Sequence, residues 1–94
     1  MNVEFRITFV GPESGAAIGI ATLAADLPFA PALEMEFAQP VWHDARKPTS
    51  ISYNIEDQSF DVFFGVEKLQ ASEAKAHLAM YGSAGWQVKD HTDA

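Results

Sequence analysis

Residues 3–9, VEFRITF, alternate without a fault: Val3, Phe5, Ile7 and Phe9 share one parity, Glu4, Arg6 and Thr8 the other. A period of two sends successive side chains to opposite faces, so the segment predicts a half-buried strand. GPESG, residues 11–15, reads as a turn. Residues 17–23 predict a second strand, built of small side chains with little to pack. Pro28 and Pro31 bracket a loop. Leu33, Met35 and Phe37 then alternate with Glu34 and Glu36, predicting a strand that Pro40 ends or confines to an edge.

The strongest local pattern lies further on. Ile51, Tyr53 and Ile55 alternate with Ser52, Asn54 and Glu56, while Phe60, Val62, Phe64 and Val66 alternate on the opposite parity. A turn at residues 56–59 would set Ile55 opposite Phe60, Tyr53 opposite Val62 and Ile51 opposite Phe64. All six then share one face, so register and hydrophobic pattern agree. Residues 72–81 predict a helix, with Ser72 as N-cap, Glu73 in the first turn and Gly82 as a left-handed stop. Ala74, Leu78 and Tyr81 give it a packing face. Trp86 and Val88 suit a last short strand. The expected fold is α+β over residues 1–88, an antiparallel sheet of about five strands with one C-terminal helix packed on one face. Residues 89–94 are expected to form a flexible polar tail.

Composition narrows the chemistry. At 94 residues, 48% of them hydrophobic, the chain can build one core without metal or cross-links. It has no Cys, which excludes disulfides, thiolate zinc sites and thiol catalysis. Thirteen acidic against six basic side chains give a net charge of −7. That balance argues against a nucleic-acid partner, which needs clustered Lys and Arg, and favours solubility or a basic protein partner. MNVEFRITFV has neither the basic flank nor the apolar run of a signal peptide. Residues 14–25, the longest stretch poor in charge, are too short to span a bilayer. A cytoplasmic protein that binds neither membrane nor nucleic acid is expected.

Candidate chemistry concentrates in PVWHDARKPTS, residues 40–50. His43 beside Asp44 could be a base with an orienting carboxylate, and Arg46 could hold an anionic substrate. Neighbouring residues seldom face each other in this way, and two prolines punctuating a polar run describe a connecting loop equally well. Gly11, Gly15 and Gly19 lack the Lys and the spacing of a phosphate loop. His43, His77 and His91, with Asp90 and Asp93, form no zinc signature, so no metal or cofactor is expected. Ser14 and Ser83 lack a nucleophile elbow. Glu34, Glu36, Glu56, Asp61 and Glu67 have the spacing of an exposed, polar sheet face rather than of a sugar-cleaving acid pair.

Two aromatics break the pattern. Phe63 falls on the polar parity of the hairpin, and Trp42 follows Pro40, where alternation has stopped. Either can be covered by the chain itself or serve as a partner anchor. With no catalytic set and no motif of a known family, the expected function is a small acidic protein-interaction module of inhibitor, immunity or adaptor type. It would bind a protein partner or form a homodimer through Phe63, Trp42, Asp61, Glu67 and Glu56. The alternative is a small enzyme or ligand-binding domain using His43, Asp44 and Arg46 at a sheet-edge pocket.

Overall fold

The alternation of VEFRITF is realised as β1 (Asn2–Val10), in which Val3, Phe5, Ile7 and Phe9 are all buried. The computed structural model describes residues 1–13 and 15–91. Along the chain follow β2 (Ala17–Asp26), β3 (Ser50–Asn54), β4 (Ser59–Lys68), α1 (Ala71–Ser83) and β5 (Gln87–Asp90). The fold is α+β: one five-stranded mixed sheet, ordered β3-β4-β1-β2-β5, with one helix near the C-terminus. No helix among the described residues is long and apolar enough to cross a membrane.

The sheet is not purely antiparallel, as β1 and β4 run parallel. Local alternation carries no information about which distant strand becomes a neighbour, so this pairing was invisible in the pattern. Strand β2 ends level with Asn2, whereas Arg46, just ahead of β3, already reaches Glu67, level with Phe9 towards the other end of β1. From there β3 enters at Ser50, opposite Phe63 and level with Arg6. Residues 27–49 make this crossing over the sheet face that carries Phe5 and Phe64. Phe37 meets Phe5 and Phe64 edge-on, at ring centroid distances of 5.2 and 6.0 Å, and Trp42 meets Phe64 at 4.8 Å. The expected strand at residues 33–37 is therefore absent. Phe37 makes only an isolated bridge with Arg46, and its ring packs on the core instead of joining a ladder.

The β3–β4 hairpin forms with its predicted face but slipped by two residues. Tyr53 pairs with Phe60 and Ile51 with Val62. Asn54 causes the slip: its Oδ1 accepts hydrogen bonds from the backbone N–H groups of Glu56 (3.0 Å) and Asp57 (3.2 Å). This Asx turn pulls Ile55 out of the strand. A slip of two preserves parity, so Ile51, Tyr53, Phe60 and Val62 still share a face.

Alternation fails in β4 at Gly65. Arg6 pairs with Phe63 but Thr8 with Val66, one residue further along β4. The extra residue is accommodated at Gly65, whose φ of 80° a side chain rarely adopts. Beyond it the faces exchange: Val66, expected in the core, is 66% exposed, and Glu67 pairs beside Phe9 on the core side.

The helix begins one residue earlier and ends two later than expected. Gln70 is the N-cap and makes no side-chain capping bond, so Ser72 lies within the helix. The left-handed stop falls at Gly85 (φ 96°) rather than Gly82, and Trp86 N–H bonds back to the Tyr81 carbonyl at 3.1 Å. Leu78 and Tyr81 join the core cluster with Phe9, Ala21, Trp42 and Trp86. Strand β5 runs to Asp90, taking in Lys89 and Asp90 from the expected tail; residues 92–94 of that tail, and Ser14, lie outside the described residues.

Replacing Gly65 by Ala should destabilise the domain by about 1–2 kcal/mol, the cost of left-handed backbone in an L-residue. The new methyl would also stand 3.2 Å from Thr49 Cγ2. Urea melts of Gly65→Ala against wild type check this; an unchanged midpoint would mean that β4 needs no bulge.

Candidate functional site

Two places gather polar or exposed groups that the fold does not simply dissolve in solvent. The first lies beneath the 40–50 loop. Trp42 is buried, and its Nε1–H donates to Tyr81 Oη at 2.8 Å. The Arg46 guanidinium lies 4.9 Å from the Trp42 ring centroid and reaches Glu67 Oε1 at 3.6 Å. His77 Nε2, from α1, stands 3.8 Å from Glu67 Oε2, an oxygen that is buried and accepts no hydrogen bond. The bulge at Gly65 is what brings Glu67 to this face. Burial raises the Tyr81 hydroxyl above its ordinary value; the Trp42 hydrogen bond opposes that, Glu67 adds to it, and Arg46 opposes it. Tyr81 is fully buried, so it can orient Trp42 but cannot meet a substrate. The group fastens loop, helix and β4 together.

The expected loop site does not assemble. His43 and Asp44 side chains are 99% and 92% exposed, with Nδ1 and Oδ1 3.6 Å apart, while Arg46 turns inward to Glu67. Trp42 likewise offers no surface to a partner, because it is covered by its own chain. Glu67 leaves the expected rim of Phe63, since the bulge places it on the other face. No group of three or more His, Cys, Asp or Glu among the described residues could hold a metal ion.

The second place is the edge of the sheet at β3. Phe63 and Asp61 border it from the neighbouring strand, as the partners of Ser50 and Ser52. Phe63 is half-buried with the Arg6 guanidinium 6.0 Å from its ring centroid, and Arg6 also reaches Glu4 (2.7 Å) and Asp61 (3.7 Å). β3 is hydrogen-bonded to β4 on one side and is terminal in the sheet on the other. Its sequence, SISYN, holds no charge and no proline. Natural sheets guard such edges with charge, proline or bulges, because unpaired backbone groups invite another strand. The opposite edge is guarded in this way: β5, QVKD, carries Lys89 and Asp90.

Around β3 the side chains also invite contact. Tyr53 is 50% exposed although its ring pairs with Phe60 at 4.8 Å, and Ile55 in the turn is 81% exposed. A shallow, open depression of about 460 Å³ wraps the strand, lined by Ser52, Tyr53, Asn54, Ile55, Glu56 and Asp61. Glu56, Asp61 and Phe63, expected at a contact surface, lie beside this strand, whereas Tyr53 and Ile55, expected on the core face of a strand, are exposed. The neutrality of SISYN beside the charged QVKD was a legible signal, usable only once β3 was known to be an edge.

Tyr81→Phe should cost about 1–3 kcal/mol, because it leaves the buried Trp42 N–H without an acceptor. The wild-type tyrosine also makes stability pH-dependent. Its contribution is fully present below the unfolded value near 10 and is lost as pH rises through the higher folded value. Thermal melts between pH 7 and 11 should therefore show a steeper alkaline loss in wild type than in Tyr81→Phe; parallel profiles would contradict the assignment. Comparison of the chain with protein-family models, with curated proteins and with solved structures finds no match.

Proposed function

We propose that this domain is a protein-interaction module that accepts an extended strand along β3. In this reading α1 and the crossover segment 27–49 cover one face of the sheet and leave the β3 edge as the docking line. The observation that carries it is the contrast between the two edges: β5 bears Lys89 and Asp90, whereas β3 is neutral, carries the exposed Tyr53 and is followed by the exposed Ile55. Strand addition supplies main-chain hydrogen bonds for affinity, and alternate side chains give specificity. Tyr53 would be the apolar anchor on one face of the strand, with Asp61 and Phe63 of β4 on the other face and Glu56 in the turn. The net charge of −7 argues against a nucleic-acid partner. The enzyme alternative draws little support, because His43 and Asp44 stand in solvent and Arg46 is turned away from them.

Selection of a random peptide library on the immobilised domain tests the reading. Enriched peptides should shift the amide resonances of residues 50–54. They should lose at least about tenfold in affinity on Tyr53→Lys, which gives β3 the charge that guards β5. Val88→Lys, on β5, should bind as wild type does. Peptides that map to β5, or that ignore Tyr53→Lys, would overturn it.

A further inference from the structure

The strand that β3 accepts is identified by the charges at its two ends. The approach to β3 carries the exposed Lys47, followed by Pro48 and Thr49; the turn beyond it carries the exposed Glu56 and Asp57. A uniformly basic segment would satisfy the acidic end and meet Lys47 at the other. A second β3 running antiparallel satisfies both, because it brings its own Lys47 towards Glu56 and Asp57. Building on the docking reading above, we infer that the occupant is a second copy of this chain, paired β3 to β3 about a twofold axis at Ser52.

Register follows from the strand itself. Ser52 is the midpoint of the five-residue β3, so a twofold axis there pairs every residue of the strand with one of its counterpart. Ser50 faces Asn54 of the second copy, and Ile51 faces its Tyr53. Ile51 and Tyr53 share the apolar face of the hairpin, so the junction gains two β-branched–aromatic pairs of the type that stabilise sheets. An axis at Tyr53 would set Ile51 against Ile55, which lies in the turn; an axis at Ile51 would spend Tyr53 on Thr49, outside the strand. A twofold contact is self-complementary by construction and closes at two copies. The two sheets become one continuous sheet whose remaining edges are the charged β5 strands. The like net charge of −7 on each copy opposes the contact, but salt screens it beyond about 8 Å at physiological ionic strength. A reversible, concentration-dependent dimer results.

The absence of native Cys makes the register directly readable, since a single introduced thiol can pair only with its own copy. Ser52→Cys sets two thiols on residues directly opposite, with Cα atoms about 4.5–5.5 Å apart, within disulfide range. Ser50→Cys sets them four residues out of step, more than about 13 Å apart along the strands. Under mild oxidation Ser52→Cys should give at least about tenfold more covalent dimer than Ser50→Cys on non-reducing gels. Sedimentation of the wild type should show dimer growing with concentration, and Tyr53→Lys should remain a monomer. Equal cross-linking of the two variants, or a wild type monomeric throughout, would overturn the second copy as occupant. If library peptides still map to β3 in that case, the docking reading survives; if they do not, both fall. A wild-type dimer that Tyr53→Lys leaves intact would place the contact elsewhere and overturn the inference.

Discussion

Strand β1 is hydrogen-bonded on both sides, antiparallel to β2 and parallel to β4, and the rest of the molecule is arranged around that pairing. A parallel neighbour cannot be reached by a tight turn. The chain must return across the sheet before β3 begins, and residues 27–49 make that return over the apolar face. A segment that would otherwise be a surface loop thereby becomes part of the core through Phe37, Val41 and Trp42. The same pairing leaves β3 at one edge and β5 at the other.

The connection between crossover, helix and sheet is polar as well as apolar. Trp42 and Tyr81 are both buried, and their hydrogen bond lets a tryptophan be buried without orphaning its N–H. Arg46 stacks on the outer side of the same indole and meets Glu67, which is on that face only because Gly65 shifts β4 by one residue. One glycine in an unusual backbone conformation therefore decides whether a carboxylate faces the loop or the solvent. The loop whose composition suggested a catalytic site uses Arg46 and Trp42 for attachment and leaves His43 and Asp44 outside.

What could be read from the chain divides along physical lines. The α+β class, β1, the hairpin face and the helix were legible because each rests on local periodicity. The parallel β1–β4 pair was not, since pairing is decided by long-range packing. The β3–β4 register was misread by two residues because the side chain of Asn54 fixes the turn, and turn chemistry competes with hydrophobic matching. Val66 and Glu67 were exchanged between faces because alternation cannot reveal an inserted residue, although Gly65 in mid-strand was a hint. Of the residues expected to meet a partner, Phe63, Asp61 and Glu56 surround the β3 edge, while Trp42 and Glu67 serve the interior. Tyr53, the proposed anchor, was hidden by its own regular alternation: a residue of the correct parity on an edge strand need not be covered.

The proposed function turns on how the sheet ends. A domain with charge on one edge strand and none on the other treats its two edges differently, and Tyr53 and Ile55 add exposed apolar surface at the unguarded one. Residue-by-residue amide hydrogen exchange at low and high protein concentration tests that claim most directly. Backbone groups on a free edge exchange with water, whereas those bonded to another strand are protected. The account predicts that the amides of residues 50–54 that point away from β4 gain protection as concentration rises while those of residues 87–90 do not. Concentration-independent exchange in β3, or protection gained in β5 instead, would contradict it.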